Sequence, residues 1–460
     1  MSKQNTFLGK NEILAAMSKP GAKVHFVGVG GVGMSSLFCL TKHFGIGACG
    51  SDKKCSDFVN CAIEAGEEVY VGECAAAASG ADLVVYSLAV GEDSPELLAA
   101  EKRGIPTVSR ADYMSALSSL YSKTVAVSGS HGKSTVTAML YSIFKEAKKE
   151  PTVLCGAEFS TVGQDVFRLG IGSLDYLIFE SCEYKDSFLA FSPDVALFLN
   201  LELDHTDYFK DLEHIKRSFS RAIAKTGLAI INGDDENLRT IEAPECVKRV
   251  YYGEGEACDY RYSLTSFCCG MPRFLIFHRG HELGEVSLCC IGRHNAANAT
   301  AAIACAMEMG IPFSACKRGV ESFLGAMRRL QLIGKWQGRS VYYDYAHHPT
   351  EIRCGIEAMR DMGCDKVTVI FCAHTYSRTE ALLADFVSSL SLADHVILTE
   401  IDAVREQGGN ITSSGFAAAV GGALVKDEVA LHSALLRTEG AILLMGAGDN
   451  AWVKTFLLKC

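Results

Sequence analysis

A lysine that follows two closely spaced glycines is the feature of this sequence best suited to phosphate chemistry. The run SGSHGKST lies between a β-type segment, 123–127, and an apolar helical segment. Backbone amides in such a turn cradle phosphate oxygens, and the lysine neutralises charge near a transferred phosphoryl group. Val127 occupies the first-glycine position of the strict motif, so we predict a variant loop. The predicted contacts are Gly129, Ser130, His131, Gly132, Lys133, Ser134 and Thr135. The alternative is a turn that binds no phosphate.

Acidic residues follow two β-type segments further along the chain. Glu180 and Glu183 come after the run at 176–179, and Asp204 and His205 come after the run at 196–200. Because parallel strands end at one edge of a sheet, we expect these side chains to meet near the phosphate loop. Oxygen ligands favour Mg²⁺, so we predict a metal site. Solvated loop carboxylates are the alternative interpretation.

A second glycine-rich turn lies near the start of the chain. Gly28, Gly30 and Gly33 have the G-x-G-x-x-G spacing, which lets a backbone approach a diphosphate at a helix N-terminus. Asp52 lies about where a ribose-binding acid is expected, so the pattern fits NAD equally well. Arg110 is placed in a loop after a later strand of the same segment. Glycines that serve only a tight turn and close packing remain an alternative.

His294 and Asn295 are polar residues at the start of an alanine-rich helical segment, AAIACAMEMG. One hypothesis is that they hold a nucleotide base or its phosphates. The other is that they cap the helix.

The whole chain has the composition of an ordinary α/β protein with two or three domains. It has 460 residues, 48% of them hydrophobic and 21% charged, and a formal charge of -10, which argues against a nucleic-acid footprint. Its opening segment lacks the pattern of a signal peptide, and no apolar run is long enough for a membrane helix. The 19 cysteines are spread along the sequence without zinc-knuckle spacing, so we expect reduced thiols and no structural zinc.

Nine motifs in order resemble the Mur ligase family over nearly the whole chain. They are GVGGVGMS, SGSHGKST, FESCEYKDSFL, LDHTDYF, GRHNAANAT, MRRLQ, DYAHHPTEI, AHTYSRT and GAGDN. The third motif is similar to the branch from Gram-positive bacteria. The resemblance implies a cytoplasmic ligase of peptidoglycan precursor synthesis that uses ATP and Mg²⁺ to join L-alanine to UDP-N-acetylmuramate through an acyl phosphate.

The resemblance also implies three α/β domains: an N-terminal Rossmann-like domain for the UDP-sugar at 1–118, a central ATP-binding domain of mostly parallel sheet at 119–335, and a C-terminal Rossmann-like domain at 336–460. The first glycine loop then binds UDP rather than NAD. The implied UDP-sugar residues are Gly28, Gly30, Gly31, Gly33, Met34, Ser35, Ser51, Asp52 and Arg110.

Carried over residue by residue, the resemblance makes Ser134, Glu180 and His205 the metal ligands. Lys133, Glu180, His205, His348 and Arg378 become the catalytic set. ATP would also contact His294, Asn295, Arg328 and Asp344, and His347 lies nearby. Either His205 or His348 is a candidate base, and neither is assigned. Domain closure is expected to assemble the site.

The sequence departs from the family pattern in two motifs. FCAHTYSRT has Cys372 and Ala373 where a polar residue and a proline are expected, and it has Thr375 where some members carry arginine. MRRLQ has Leu330 where phenylalanine is common. The sequence therefore does not decide whether the amino-acid pocket binds L-alanine, glycine or L-serine.

Two other functions remain open at this point. The first is a recycling ligase that attaches a murein tripeptide to the same sugar nucleotide. The second is a catalytically inactive nucleotide-binding regulatory protein. We expect a monomer or a weak homodimer, with no nucleic-acid partner and no membrane association.

Overall fold

The computed structural model describes residues 8–91, 93–161, 167–402, 406, 408–448 and 451–459. Asp449 and Asn450 of the GAGDN motif lie outside the described residues. Three separate sheets follow one another along the chain, each with helices packed on it. The predicted α/β class with three domains is therefore confirmed, while the boundaries after 118 and 335 stay predictions. Among the helices of the described residues, none combines the length and the apolarity that crossing a bilayer requires.

The first sheet is parallel, with strand order β3-β2-β1-β4-β5. Its strands are β1 Lys23–Val27, β2 Gly47–Asp52, β3 Val69–Val71, β4 Leu83–Tyr86 and β5 Thr107–Ser109. Its helices are α1 Lys10–Met17, α2 Val32–His43, α3 Asp57–Glu64, α4 Ala75–Ser79, α5 Pro95–Lys102 and α6 Arg110–Ser118. The first glycine loop joins β1 to α2 at the carboxyl edge. The prediction that Arg110 lies in a loop is wrong, because the Ser109 side chain accepts the Asp112 amide and α6 starts at Arg110.

The central sheet has eleven strands, with order β15-β14-β13-β12-β11-β10-β6-β9-β7-β16 and β8 paired to β7. Its strands are β6 Lys123–Ser128, β7 Thr152–Thr161, β8 Phe167–Gly170, β9 Tyr176–Glu180, β10 Val195–Phe198, β11 Leu228–Asn232, β12 Lys248–Gly253, β13 Tyr260–Cys268, β14 Met271–His278, β15 His281–Ser287 and β16 Phe323–Ala326. Its helices are α7 Lys133–Glu146, α8 Leu212–Ile223, α9 Glu236–Arg239, α10 His294–Glu308 and α11 Phe313–Ser322, with a 3₁₀ segment at Tyr184–Ala190. The strand predicted at 196–200 begins one residue earlier and ends two residues earlier.

The third sheet has six strands, with order β17-β18-β22-β19-β20-β21, and only the β17–β18 pair is antiparallel. Its strands are β17 Gln331–Trp336, β18 Arg339–Asp344, β19 Val367–Phe371, β20 His395–Leu398, β21 Ala423–Leu424 and β22 Ala441–Met445. Its helices are α12 Pro349–Asp361, α13 Tyr376–Ala381, α14 Leu383–Leu390, α15 Ser413–Val420, α16 Glu428–Leu435 and α17 Ala451–Lys459.

The apolar cores are not divided evenly among the three sheets. One cluster of buried side chains contains residues from both the first and the central sheet, among them Phe26, Tyr113, Phe179 and Phe219. A second cluster lies within the central domain. The C-terminal domain has two cores made of its own residues, with the central residue Ile291 packed at the edge of one. The first two domains are therefore joined by a shared core, and the third is not.

Helix α7, which carries Lys133 on its first turn, packs tightly against α11. A Cβ atom added at Gly319 of α11 would collide with the backbone of Ile143 in α7 and would lie only 2.6 Å from its amide nitrogen. This close approach holds α7 against the sheet, which fixes the direction from which Lys133 enters the site.

We therefore expect Gly319→Ala to destabilise the protein, although glycine to alanine usually stabilises a helix by about 1 kcal/mol. Overpacking against backbone costs about 1–3 kcal/mol, which outweighs that gain. Urea unfolding measures the difference. Ser314→Ala, at an exposed position of the same helix, is the control and should change stability by less than about 0.5 kcal/mol. An unchanged or higher stability for Gly319→Ala would show that α7 and α11 can move apart freely.

Candidate active site between the central and C-terminal domains

Local backbone geometry shapes the phosphate loop between β6 and α7. Gly129 has φ 143° and Gly132 has φ 84°, which side-chain-bearing residues rarely adopt. A Cβ at Gly129 would lie 3.1 Å from the amide of Asn200, and one at Gly132 would lie 2.8 Å from Oδ1 of Asn298. Asn200 also holds the loop through both ends of its amide, which bond the His131 amide at 2.7 Å and its carbonyl at 3.1 Å. These contacts fix the conformation of the loop.

The side chain of Lys133 turns back across this loop toward an acid from the neighbouring strand. Its ammonium donates to the carbonyls of Gly129 and Ser130 and lies 3.3 Å from Oε2 of Glu183. Burial lowers the pKa of Lys133, but the carboxylates of Glu183 and Glu180 outweigh that effect and raise it. Lys133 therefore carries a fixed positive charge inside the site.

Glu183 is completely buried between the ammonium of Lys133 and the imidazole of His205. Its Oε1 lies 3.8 Å from Nε2 of His205 but accepts no hydrogen bond from any residue that the structure describes. Buried carboxylate oxygens are normally satisfied, so an unsatisfied one facing Lys133 and His205 suits a hard cation with oxygen ligands. Glu183 was placed near the loop by the sequence but was left out of the predicted metal ligands.

The three predicted metal ligands surround the same region. Glu180 ends β9 and accepts the amide of Gly156, and the thiol of Cys155 donates to the Ser134 carbonyl at 3.5 Å. Glu180 and Ser134 are therefore both in contact with neighbouring residues of β7. His205 has φ 51°, and its ring packs on Tyr184 with 4.6 Å between centroids and the ring planes tilted by 34°. This positive φ directs the imidazole toward Glu183.

A hydrogen-bonded cluster joins the phosphate loop to the start of α12. Oε2 of Glu202 lies 3.2 Å from Nε2 of His131 and 3.1 Å from Nδ1 of His348, and it accepts the hydroxyl of Thr350 at 2.7 Å. Nδ1 of His131 lies 3.3 Å from Oε1 of Glu351. Burial lowers the pKa of His131, but Glu351 and Glu202 outweigh it and raise that pKa to about 9. His131 is therefore cationic at neutral pH.

A buried ion pair makes a second link between the domains. Nε and Nη2 of Arg378 both donate to Oδ1 of Asp204, at 2.9 and 2.6 Å. Burial raises the pKa of Asp204, but Arg378, His205 and His347 lower it well below its usual range. Burial and Arg378 lower the pKa of His347 to about 4, despite nearby Glu351 and Asp204. His347 is therefore neutral at the pH where Arg378 pairs with Asp204.

A cavity of about 260 Å³ lies between the central and C-terminal domains. Six predicted nucleotide residues line it: His131, Gly132, Thr135, His294, Asn295 and Asp344. The sequence analysis missed further polar lining residues, among them Asn200, Glu202, Asn298, Arg329 and Glu351. Glu202 lies within the motif LELDH and Glu351 within HHPTE, and these motifs are the sequence signal from which both residues could have been predicted.

The two predicted residues at the start of α10 do not cap it. The N-cap is Arg293, and no side chain caps the helix there. Asn295 instead donates to the Ile291 carbonyl at 2.7 Å and accepts from Asn298 at 3.0 Å. Burial and Arg329 lower the pKa of His294 to about 4, and its Nδ1 is buried without a hydrogen-bond partner among the described residues. The helix-capping interpretation is therefore wrong, and His294 faces the cavity as a neutral ring.

Of the two predicted C-terminal nucleotide residues, one lines the cavity and the other does not. Arg328 lies outside the cavity lining and stacks over Tyr345 at 4.6 Å, while Arg329 reaches into the cavity and pairs with Glu351 at 3.1 Å. Asp344 accepts the amides of Leu330 and Ala346, and burial raises its pKa to about 6 although Arg329 opposes this. Asp344 therefore positions the chain around Arg329.

The first glycine loop lies at the carboxyl edge of the first sheet. Gly28 has φ 83°, and the Gly30 amide donates to Oδ2 of Asp52 at 2.9 Å. A Cβ at Gly33 would lie 2.8 Å from Nη1 of Arg110, so that guanidinium rests against the start of α2.

Three other predicted UDP-sugar residues are buried: Met34, Ser35 and Ser51. The Ser51 hydroxyl donates to the buried Glu96, and its carbonyl accepts the amides of Gly28 and Val29. Ser51 therefore supports the loop from beneath.

Three domains of the Mur ligase family match successive parts of this chain. The Mur ligase family catalytic domain matches residues 23–122, the Mur ligase middle domain 127–306, and the Mur ligase glutamate ligase domain 328–448. The chain belongs to the Mur ligase family, as the sequence motifs predicted.

Relatives at 35–38% identity carry the same name. A UDP-N-acetylmuramate--L-alanine ligase from Alkaliphilus metalliredigens is 38% identical, with 85% of each chain covered. One from Clostridium tetani is 35% identical, with 93% of this chain and 96% of the relative covered. The crystal structure of UDP-N-acetylmuramate-alanine ligase from Thermotoga maritima is 25% identical, with a TM-score of 0.79 and coverage of 95% and 98%. A murein peptide ligase from Psychrobacter arcticus, 21% identical with a TM-score of 0.70 and the same coverage, shares the fold.

The raised pKa of His131 gives a pH-dependent contribution to stability. Its proton stabilises the folded chain fully below pH about 6.5, and this contribution is lost as the pH rises through about 9. We expect His131→Gln to lower the thermal midpoint at pH 6.5 and to differ much less from the parent at pH 10. The lost contribution is on the order of 3 kcal/mol at most. A difference that stays constant across this range would mean that His131 does not hold a proton in the cluster.

Breaking the Arg378–Asp204 pair should cost much more than breaking an exposed pair. Arg378→Gln leaves a buried carboxylate without its cation, which costs about 3–5 kcal/mol. Adding Asp204→Asn should recover part of that loss. The control is Arg318→Gln, because the Arg318–Glu146 pair is exposed, and exposed pairs contribute at most about 1 kcal/mol. Equal losses of unfolding free energy for Arg378→Gln and Arg318→Gln would contradict the assignment of a desolvated pair.

Proposed function

We propose that this chain joins L-alanine to the carboxylate of UDP-N-acetylmuramate, with ATP as the phosphoryl donor, in peptidoglycan precursor synthesis. The names of relatives at 35–38% identity support this substrate pair, since these relatives match along most of their length. The observation that carries the proposal is Lys133 in its glycine loop, paired with buried Glu183 and close to a cavity shared by two domains. That arrangement serves phosphoryl transfer, which depends on positioning and on charge stabilisation.

In the proposed reaction, the sugar carboxylate attacks the terminal phosphate of ATP and gives an acyl phosphate and ADP. The amino group of L-alanine then attacks the acyl carbon, and phosphate leaves. Lys133 lies where it offsets charge on the transferred group, and its ammonium must exchange its loop carbonyls for phosphate oxygens. The nucleotide base and ribose are proposed to lie in the cavity beside His294, Asn295 and Asn298.

Mg²⁺ fits the acidic side of this site. Glu183 supplies an unsatisfied buried carboxylate oxygen, and Glu180, Ser134 and His205 are the other proposed ligands. When bound, Mg²⁺ would offset the negative charge of the phosphates. His205 would contribute a ring nitrogen to this set, and its Nε2 lies 3.8 Å from Oε1 of Glu183. Glu183 is added to the proposed ligand set because of its free oxygen.

The interdomain contacts support a closed state that excludes water from the acyl phosphate. Arg378 donates to Asp204 from both Nε and Nη2, so in this arrangement it acts as a clamp that holds the C-terminal domain on the central one. An incoming amino acid that binds Arg378 through its carboxylate must displace that bond. Closure and amino-acid binding would then compete for one guanidinium, and we propose that the clamp precedes L-alanine binding.

Replacing Lys133 tests the proposed chemistry directly. We expect Lys133→Ala to lower kcat for L-alanine-dependent phosphate release by roughly 10²–10³-fold, because the charge that stabilises the transferring phosphoryl group is removed. Lys123→Ala is the control, since Lys123 is an exposed lysine on β6 that pairs with Asp194. Full product formation by folded Lys133→Ala, measured by mass spectrometry, would refute the proposed role of the loop.

The amine substrate is identified by the same assay with different acceptors. With ATP, Mg²⁺ and UDP-N-acetylmuramate present, phosphate release should require free L-alanine, and glycine or L-serine should be slower. Small side chains differ by only about 1–3 kcal/mol in a pocket, so the preference is expected within roughly 10–200-fold. Turnover only with a murein tripeptide would indicate a recycling ligase, and no turnover with any acceptor would indicate a nucleotide-binding protein.

A further inference from the structure

Lys185 and Asp186, shortly after Glu183, both have a left-handed backbone conformation that favours glycine. Lys185 has φ 51° and ψ 37°, and Asp186 has φ 57° and ψ 20°. Left-handed backbone is unfavourable for residues with a Cβ, and it persists only where surrounding contacts enforce it. This segment follows directly on the acid that pairs with Lys133.

Asp186 supplies those contacts. Its carboxylate accepts the Ser218 hydroxyl at 2.6 Å and the Tyr208 hydroxyl at 3.1 Å, and it lies 3.5 Å from Nη1 of Arg221. These partners anchor the turn to the central domain without using the side chain of Lys185. The anchored turn therefore sets the direction in which Lys185 leaves the backbone.

The side chain of Lys185 extends toward the first domain. The Lys185 ammonium lies 3.4 Å from the carbonyl of Leu88 and 5.4 Å from the ring of Tyr184. Leu88 follows β4, and its neighbours Ser87 and Val90 pack against the Cα of Gly28, where a Cβ would lie 3.6 and 3.7 Å from them. The ammonium is thus held beside the mouth of the first glycine loop, and it is exposed there.

A second cation borders the same space from the other side. The Arg110 guanidinium rests against Gly33 at the start of α2, and its charge also acts on Cys182 of the central segment. Arg110 and Lys185 therefore come from different domains and border the junction between the first glycine loop and the 180–186 segment. A dianionic group at that junction would be attracted by both.

We propose that Lys185 binds the diphosphate of the sugar nucleotide and so ties the substrate held by the first domain to the phosphoryl-transfer site of the central domain. This inference rests on the proposed function. The bond from Lys185 to Leu88 is a long one to a neutral acceptor, and a diphosphate oxygen replaces it as a charged acceptor.

The first test compares substitutions at Lys185 in steady-state turnover. Lys185→Met should raise the KM for UDP-N-acetylmuramate by roughly 10- to 100-fold, with the KM for ATP unchanged, because a hydrogen bond between charged groups is lost. Lys185→Arg should restore most of that loss. The control is Lys216→Met, a lysine of α8 that pairs with nearby Glu213. An unchanged KM for the sugar nucleotide in Lys185→Met would overturn the inference.

A glycine at the same position separates charge from backbone strain. Lys185→Gly removes the ammonium and relieves the unfavourable φ, so its thermal midpoint should equal or exceed that of Lys185→Met. Its KM for the sugar nucleotide should nevertheless be raised as much. If KM followed the thermal midpoint instead of the charge, Lys185 would be a structural residue only, and the inference would be wrong.

Calorimetry with UDP and with uridine identifies the bound group and needs no turnover. Lys185→Met should weaken UDP binding by the same factor as the KM for the sugar nucleotide and should leave uridine binding unchanged. Unchanged UDP binding with a raised KM would assign Lys185 to the sugar carboxylate and overturn the diphosphate contact. If the parent protein binds UDP but forms no product with any acceptor, the proposed function is wrong. The effect of Lys185→Met on UDP binding still tests the Lys185 contact in that case.

Discussion

A carboxylate held in full burial between an ammonium and an imidazole is the interaction on which the central site depends. Glu183 has no exposed surface, and its two oxygens face Lys133 and His205. Removing an ion from water is costly, and the cost is offset only by close opposite charges. The glycine loop, the end of β9 and the turn after β10 must therefore keep their relative positions. The parallel order of β10, β6 and β9 provides this, since all three strands end at the same edge.

Charge also governs how the C-terminal domain meets the central one. His131, Glu202, Asp204, His348, Glu351 and Arg378 form the contact region, and each carboxylate among them has a cationic or hydrogen-bonding partner from the other domain. The cavity lies within this region, so ligand binding and domain closure use the same side chains. A nucleotide that enters the cavity must therefore be accommodated by the groups that hold the domains together.

The sequence predicted the parts of the site that depend on local patterns. Glycine spacing located both loops, and acids at strand ends located Glu180, Glu183, Asp204 and His205, because strand, turn and helix signals are short in range. Contacts such as Asp204 with Arg378, which are 174 positions apart, have no local signal. The cavity lining includes Arg329 and not the predicted Arg328, and local spacing gives no signal for that difference either. Positive φ at Arg328 and Leu330 decides which neighbour faces the cavity, and sequence spacing does not report it.

The unequal sharing of apolar cores has a thermodynamic consequence. Separating the first domain from the central one would expose side chains such as Tyr113 and Phe188 to water, whereas lifting the C-terminal domain would uncover the charged pairs of the contact region. Apolar exposure raises heat capacity and polar exposure lowers it. Opening at the C-terminal side should thus proceed with a small heat-capacity increment and should respond to ionic screening, while the other junction stays shut at all salt concentrations that preserve the fold.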